Sequence, residues 1–377
     1  MSWWAEEFAD LEVVHLNHAA VAPWPRRTAQ AVARFAAENA RRGSLAYREW
    51  LAVEARLRAR LARLVGAPDP ADIALVKNTS EALSFVAWGL DWRPGDRVVT
   101  AREEFPSNRV VWQSLARLGV ETVLVPLAEA VDPEAALLAA AAHPRVRLLA
   151  VSAVQYADGL RLDLGRLGAW CRAHGRLFCV DAIQAVGAVA VDVVRDDIDF
   201  LAADGHKWML GPEGIGVFYC RAALREALAL HEYGWHMLAR RDDFEALAWE
   251  VAADATRFEC GSPNMVGIHG LEASLSLLEA VGMAEVERRI QEAVAVLCEG
   301  ARQAGWRPVR VPRPDLPSGI LALRHPRGDE AARLQALRAR GVFAAHRAGA
   351  LRLSPHFHLD EARLGRAVAA LEATARP

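Results

Sequence analysis

The chain has 377 residues, of which 53% are hydrophobic and 24% charged, which fits a globular protein with a large domain and a smaller partner and excludes a disordered or fibrous one. Its net charge of −2 gives no support for binding to nucleic acid or to a membrane surface. The start is acidic where a signal peptide is basic, and no apolar run is long enough to span a bilayer, so we expect a cytoplasmic protein. The five cysteines show no CxxC pair and no zinc-type spacing, so we expect reduced thiols and no metal site.

Short apolar runs alternate with helix-like segments from about residue 70 onward. In chain order the predicted strands lie in the stretches IALVKNT, DRVVTA, TVLVPL, VRLLAVSAV, RLFCVDAIQAVG, IDFLAADGHK and GIGVFYC. This alternation predicts an α/β layer with a mostly parallel sheet flanked by helices. We assign this large domain to residues 16–258 and a smaller α+β domain to residues 259–377, with the segment 1–15 expected to pack with the small domain. Within the small domain, a long helix is predicted over roughly 267–304 and a last helix from Asp360.

Polar residues collect where the predicted strands end. Ligands in open α/β sheets bind beyond the carboxyl ends of the strands, so this distribution predicts a single site. The residues concerned are Asn78, Thr79, Ser80, Glu104, Phe105, Asp181, Gln184, His206 and Lys207.

Lys207 stands out because the chain contains only one other lysine, Lys77, and the rest of its 45 lysine and arginine residues are arginines. A lysine can lose its proton and condense with a carbonyl group, whereas an arginine stays protonated. The residues before Lys207 lack the spacing of a phosphate-binding P-loop. A Schiff-base lysine and a phosphate-binding lysine are the two interpretations that remain. We interpret Lys77 as a surface residue.

The other polar positions each have an ordinary and a functional interpretation. Asp181 could cap a following helix with Gln184 as its capping-box partner, or it could keep a pyridine nitrogen protonated. Thr79 and Ser80 could simply begin a helix, or they could bind phosphate at its N-terminus. Phe105 could belong to the core or could form a flat surface for an aromatic ligand. Taken together with Lys207, the functional interpretations describe one ligand, pyridoxal phosphate (PLP).

Three stretches of the sequence resemble the class V aminotransferases, which are PLP enzymes of fold type I. They are the segment from VSAVQYADG to GIGVFY, the motif RFECGSPN and the opening LNHAAVAP. The family includes cysteine desulfurases, selenocysteine lyases, kynureninases and isopenicillin N epimerase-like proteins. The resemblance runs from about residue 15 to the end, and it implies a homodimer with the active site at the subunit interface.

The resemblance also implies a role for each candidate residue. At the cofactor ring, Lys207 would form the covalent link, Asp181 would pair with the pyridine nitrogen, and Phe105 would stack where many relatives have histidine. The remaining implied residues are Gln184 near the phenolic oxygen; Thr79, Ser80, His206 and, from the other subunit, Ser262 at the phosphate; Arg352 at the substrate α-carboxylate; and Asn17 and His18 at the pocket mouth.

The sequence departs from the family where cysteine desulfurases carry their nucleophilic cysteine. That cysteine lies on a loop shortly before the position of Arg352, where this chain reads RGVFAAHRAGALRLSP without a cysteine. Cys260 matches a small buried residue of relatives, and Asp204 stands where desulfurases have a hydroxyl residue. Sulfur transfer through a persulfide is therefore disfavoured.

The sequence predicts a PLP enzyme that acts at the α-amino group and Cα of a small amino acid. An aminotransferase is the default, and a lyase or an epimerase is the alternative. A non-catalytic PLP-fold binding protein ranks below both, because Lys207, Asp181 and Arg352 are all present.

Overall fold

The structure is a computed structural model that describes residues 3–310 and 313–375, so the terminal pairs 1–2 and 376–377 and the pair 311–312 of the assigned domains lie outside the described residues. The α-helices are α1 Arg26–Arg42, α2 Tyr47–Val65, α3 Thr79–Gly89, α4 Ser107–Gln113, α5 Pro133–Ala141, α6 Leu164–Ala173, α7 Met265–Val281, α8 Met283–Gln303, α9 Glu330–Arg338 and α10 Glu361–Ala375. The strands are β1 Val14–His15, β2 Ile73–Val76, β3 Arg97–Ala101, β4 Glu121–Val125, β5 Val146–Ser152, β6 Leu177–Asp181, β7 Phe200–Asp204, β8 Gly216–Cys220, β9 Arg307–Pro308, β10 Leu321–Arg324, β11 Val342–Phe343, β12 Ala345–Arg347 and β13 Ala350–Leu353.

The large domain is built on a sheet with the strand order β2-β8-β7-β6-β5-β3-β4. Strands β3 to β7 pair in parallel, whereas β8 runs antiparallel to both β2 and β7. The predicted α/β class with a mostly parallel mixed sheet is therefore confirmed. Helices cover both faces of the sheet, which explains why its strands read as continuous apolar runs instead of alternating ones.

Alternate residues of each strand divide the core into two layers. Leu149 of β5 packs in the layer that includes helices α2 and α7. Its neighbour Leu148 packs in the opposite layer, with helices α3 and α4. Since successive side chains of a strand point to opposite faces, both layers must be apolar, and only the strand ends are left for polar groups.

The small domain contains an antiparallel sheet of the order β12-β13-β10-β9. The strand β1 pairs in parallel with β11, and Asn17 forms a bridge with Ser354. Val14, His15 and Asn17 therefore pair with residues of the C-terminal part of the chain, whereas Glu7 pairs with Arg27 of α1. The assignment of the whole segment 1–15 to the small domain stays a prediction. The domain boundary at residue 259 stays a prediction, and helix α7, which follows it, packs against α1 and α2. Among the described helices, none has the length and apolarity that crossing a bilayer requires.

The prediction of one continuous helix over roughly 267–304 is wrong. The segment is divided into α7 and α8 at Gly282, whose φ of 86° lies in the left-handed region that glycine favours. The break lets α7 pack on the large domain while α8 packs against α10. The last helix begins as predicted, because the Asp360 side chain accepts a hydrogen bond from the backbone N–H of Arg363 at 2.7 Å.

Four histidines form a buried cluster where the small domain meets the large one. The histidine cluster comprises His15, His18, His356 and His358, and the ring of His18 lies 4.6 to 5.2 Å from the other three. Burial lowers the pKa of each ring, to about 4 for His15 and His356 and well below the usual value for His18 and His358. The cluster is therefore neutral in the folded protein at physiological pH.

We expect the histidine cluster to make the fold sensitive to acid. Because the unfolded chain takes up protons below about pH 6.5 and the folded chain does not, its stabilising contribution is complete above pH 6.5 and is lost as the pH falls toward 4. A single histidine held near a pKa of 4 accounts for about 2 kcal/mol of unfolding free energy at pH 5. Denaturant titrations between pH 8 and 5 should show this loss.

The variant His358→Phe tests the origin of this effect. His358 stacks on Phe8 with ring centroids 3.8 Å apart, so phenylalanine keeps the packing and removes the titrating group. We expect a shallower dependence of stability on pH in the variant. Parallel curves for the two proteins would show that the cluster is not responsible.

Candidate active site

A cavity of about 260 Å³ lies at the carboxyl ends of the parallel strands, between the two domains. The strand ends bring together residues that are far apart in sequence, as the distribution of polar residues predicts. The predicted residues that line this cavity are Thr79, Ser80, Phe105, Asp181, Gln184, His206, Lys207 and Arg352.

Lys207 lies in the turn that follows β7, at the centre of this lining. Withdrawal from water lowers the pKa of its amine to about 8, with an additional effect of Arg352, while Asp181 and Asp204 oppose the shift. The Nζ atom lies 5.7 Å from the centroid of the Phe105 ring. A substantial fraction of the amine is thus neutral, and nucleophilic, slightly above neutral pH.

Asp181 ends strand β6 and is buried beside the lysine. Burial raises the pKa of its carboxyl to about 6, against the opposing effects of a hydrogen bond from the Ile183 N–H and of Lys207. Residues after β6 form turns, so Asp181 does not cap a helix. Gln184 is not its capping partner, because its amide donates to the Ala19 carbonyl at 3.0 Å and accepts from the Trp208 indole N–H at 2.8 Å. The ordinary interpretation of this pair is therefore wrong.

The start of helix α3 offers a binding site for phosphate. Asn78 caps the helix through a 2.9 Å hydrogen bond from the Glu81 N–H. The Thr79 hydroxyl is buried and has no hydrogen-bond partner among the described residues. The Ser80 hydroxyl donates to Ser107 at 2.9 Å, and both serines line the cavity. An orphaned hydroxyl at a helix N-terminus fits the phosphate group of PLP.

Asp204, at the end of β7, is a residue of the site to which the sequence assigned no role. Its carboxylate accepts a 3.0 Å hydrogen bond from the Thr79 N–H, and its other oxygen lies 3.7 Å from His206 Nδ1. Burial, with a contribution from Asp181, raises the pKa of Asp204 to about 7. A protonated Asp204 can donate a hydrogen bond toward a phosphate oxygen, so the cavity fits PLP with Asp204 as an acid. His206 is neutral, because burial lowers its pKa to about 4.

Arg352, on β13, also lines the cavity. Its side chain is 2% exposed and forms no ion pair with any described carboxylate. It donates hydrogen bonds to the Tyr156 carbonyl at 2.7 Å and to Asn17 Oδ1 at 3.4 Å. A buried guanidinium without an anionic partner is costly unless a ligand supplies the anion. Asn17 thus reaches the site through Arg352.

His18 and Ser262 are not brought into this cavity. His18 is enclosed in the histidine cluster, where its Nδ1 lies 2.9 Å from the Ser354 carbonyl oxygen. Ser262 is exposed and lines a separate cavity of about 280 Å³ together with Lys77 and Cys260. The approach of Ser262 to the phosphate from another subunit stays a prediction. Lys77 is exposed and forms an ion pair with Glu81 at 2.8 Å, as expected for a surface residue.

The segment that carries Ser262 is fixed to the large domain by buried charges. Glu259, of the RFECGSPN motif, pairs with Arg58 of α2 at 2.5 Å and accepts a 2.8 Å hydrogen bond from the Leu75 N–H. Arg58 also pairs with Glu54 at 2.7 Å. Removing one partner of such a network leaves a buried charge uncompensated, so the motif has a structural role in holding this segment.

Three further polar residues of the cavity were missed by the sequence, namely Ser107, Tyr156 and Arg347. Tyr156 packs edge-on against Phe105 with the ring centroids 5.2 Å apart. Its place in the motif VSAVQYADG was visible, but its contact with Phe105 depends on the pairing of strands. Arg347 lies on β12 and enters the cavity only through the small-domain hairpin, which the sequence does not reveal.

A mixed seven-stranded sheet with a strand-end aspartate, a lysine and a phosphate-binding helix start defines a PLP-dependent enzyme of the α/β class. The family model described as aminotransferase class-V matches residues 14–357, and the chain belongs to this family. The resemblance read from the sequence is confirmed, and pyridoxal phosphate is the cofactor.

Similar proteins of known name include cysteine desulfurases. A probable cysteine desulfurase of Pyrococcus abyssi is 34% identical over 235 residues, which cover 61% of this chain and 57% of that protein. A cysteine desulfurase of Pectobacterium carotovorum is 32% identical over 308 residues, which cover 79% of this chain and 75% of that protein. The matched region thus spans somewhat more than half of the Pyrococcus relative.

Solved structures show the same fold over nearly the whole chain. The cysteine desulfurase CsdA of Escherichia coli superimposes with a TM-score of 0.86 at 25% identity and covers 99% of this chain and 97% of its own. The cystine C–S lyase C-DES, in complex with cysteine persulfide, has a TM-score of 0.89 at 24% identity and covers 97% of this chain and 99% of its own. At that identity the second comparison shows the fold alone.

The presence of only two lysines allows a direct test of the Lys207 environment. In the cofactor-free protein, we expect the rate of acetylation of Lys207 to be half-maximal near pH 8, because burial lowers its pKa. Lys77 serves as the internal control, because Glu81 raises its pKa. Peptide mass spectrometry after brief acetic anhydride treatment at a series of pH values measures both.

The variant Asp181→Asn should move the midpoint of Lys207 to a lower pH, because the carboxylate stabilises the ammonium form. Identical titration of both lysines in the unmodified protein would contradict this description of the site.

Proposed function

We propose that the protein is a PLP-dependent lyase that deprotonates Cα of an amino acid and releases a leaving group from Cβ without the help of an enzyme cysteine. The observation that carries this proposal is the convergence of Lys207, Asp181 and Arg352 on one cavity that no cysteine lines. All five cysteines fall within the described residues. The names of the relatives support the lyase class, since cysteine desulfurases also cleave a side-chain bond at Cβ.

Each of the three residues has a task that its environment supports. Arg352 orients the substrate by pairing with its α-carboxylate, because its guanidinium is buried without another anion. Lys207 moves the Cα proton, since a pKa of about 8 suits an amine that must accept and return a proton near neutral pH. Asp181, whose carboxyl has a pKa of about 6, is ionised at neutral pH and would pair with the pyridine nitrogen of PLP. PLP, when bound, supplies the electron sink for the charge left at Cα.

A persulfide relay is not supported by the positions of the thiols. Cys260 is the only cysteine that is not buried, and it lines the separate cavity that contains Lys77 and Ser262. Its thiol donates a hydrogen bond to Glu232 at 3.4 Å, and burial together with this contact raises its pKa. A raised pKa keeps the thiol protonated and makes it a poor nucleophile. The sulfur or other leaving group therefore departs directly from the substrate.

Transamination is the second candidate, and the sequence favoured it as the default. The cavity holds Lys207 and Arg352 and lacks a specialised nucleophile, which suits any reaction that begins with deprotonation of Cα. Epimerisation shares this first step. The fate of the side chain is decided by contacts that the substrate itself makes.

A homodimer forms part of the same proposal. In the chain segment that connects β8 to α7, large apolar side chains are exposed in the single chain, including Phe244, Leu247 and Trp249. Exposed apolar groups of this size indicate a surface that another protein covers. We propose that a second copy of the chain covers them, and the family resemblance implies that Ser262 then reaches the phosphate of the neighbouring site.

The reaction type is tested by giving the purified holoenzyme single amino acids with a β-leaving group, with and without an added 2-oxo acid. A lyase releases ammonia and a 2-oxo acid without the additive. A transaminase stops after one half-reaction, with the cofactor in its amine form, until the additive is supplied. Release of neither product, and no change of the cofactor spectrum with any substrate, would contradict both candidates.

Lys207→Ala should lower the rate by about a thousandfold or more, because it removes the group that moves the proton. Borohydride should no longer attach PLP to the chain in this variant. Lys207→Arg is the matched control, which keeps the charge but cannot condense with the aldehyde. Attachment of PLP to Lys207→Ala at Lys77 would show that the wrong lysine has been assigned.

Cys260→Ser distinguishes direct release from a persulfide relay. We expect turnover within about twofold of the unmodified enzyme, because this thiol lies outside the cavity and is held protonated. A loss of a hundredfold or more, with the variant still binding PLP, would show that Cys260 takes part in the reaction.

A further inference from the structure

Two arginines of the small-domain hairpin face the same cavity. In the pairing of β12 with β13, Ala345 lies opposite Arg352 and Arg347 lies opposite Ala350. Since side chains alternate along a strand, Arg347 shares the face of Ala345, and hence of Arg352. Arg347 and Arg352 are therefore diagonal neighbours across the hairpin, and both line the cavity.

Arg347 lies directly before the turn of the hairpin and is exposed. A two-residue turn, Ala348 and Gly349, joins the strands with φ values of 48° and 71°. This is the left-handed backbone that a tight hairpin turn requires, and alanine adopts it only at a cost in strain. The short turn leaves Arg347 as the last residue of β12, where it contributes to the cavity lining.

The two guanidinium groups lack an anion to balance them. Arg347 donates a 2.8 Å hydrogen bond to the His346 carbonyl and forms no ion pair with a carboxylate in the part of the chain that the structure describes. Arg352 likewise has none. The cavity carboxylates Asp181 and Asp204 are engaged elsewhere, with the backbone N–H groups of Ile183 and Thr79. Like charges on one face are unfavourable unless a ligand neutralises them.

We propose that the site selects amino acids with a second anionic group on the side chain, such as a carboxylate or a sulfinate. Arg352 binds the α-carboxylate and Arg347 binds the side-chain anion. Ala345, opposite Arg352, adds only a methyl group to the face that the two arginines share. This inference rests on the role of Arg352 in the proposed function, and it adds the substrate class.

The test measures binding and does not depend on the reaction. Isothermal titration calorimetry of the holoenzyme compares succinate with butyrate, which have the same number of carbons and differ in the second carboxylate. We expect succinate to bind at least about tenfold more tightly, because charge-assisted hydrogen bonds to a second arginine are gained. Arg347→Gln should lose about tenfold in affinity for succinate and stay within twofold for butyrate, and Arg347→Lys should lose less.

Arg340→Gln is the charge-matched control. Arg340 is exposed, donates a hydrogen bond to the Ala336 carbonyl and does not belong to the cavity lining. Equal losses for Arg340→Gln and Arg347→Gln would show that only the overall charge matters, and the proposal would be wrong. It would also be wrong if the unmodified holoenzyme did not prefer succinate, or if Arg347→Gln weakened both ligands alike.

The binding result is separable from the proposed function. Preference for succinate in an enzyme that shows neither lyase nor aminotransferase activity would support the anion pair and contradict the reaction. Turnover of amino acids by an enzyme that does not prefer succinate would support the proposed reaction and contradict the anion pair.

Discussion

The site depends on charged groups held in a place from which most water is excluded. Asp181 and Asp204 end two neighbouring strands that are buried except for the first residue of β6, and Lys207 follows the second strand within three residues. Each carboxylate has a raised pKa and the lysine a lowered one, which means that burial opposes every charge. Such a cluster is tolerated because Lys207 and the two carboxylates stabilise each other's charged forms and because a charged ligand completes it.

One group of cavity residues is suited to a phosphate group. It consists of the start of α3, the Thr79 hydroxyl without a partner and the neutral His206. Asp204 is unusual at a phosphate site, because its carboxylate already accepts a hydrogen bond from the backbone N–H of Thr79 at the helix start. With its pKa near 7, Asp204 can be ionised while the site is empty and protonated when a phosphate approaches. Binding of the cofactor and uptake of a proton are thereby linked.

The sequence was sufficient to predict which site residues lie at the strand ends, but it was insufficient to predict how the small domain is arranged. Apolar runs buried on both faces have a strong signal, and the rule that ligands lie at their carboxyl ends placed Asp181 and Lys207 correctly at one cavity. The break between α7 and α8 at Gly282 was not predicted, because the apolar pattern continues through it. Arg347 was not predicted as a site residue for a different reason. Its position at the cavity depends on which residue of β12 pairs with which residue of β13. A shift of one position would turn its side chain to the other face.

The two arginines also influence the lysine. Arg352 and Arg347 both lower the pKa of Lys207, since a positive charge nearby disfavours a second one. Anionic groups of a bound substrate would neutralise both guanidinium groups and remove this effect. Lys207 would then hold a proton more strongly at the moment when a substrate proton becomes available. The residues that select an anionic substrate thus also adjust the base that acts on it, which gives one hairpin both tasks.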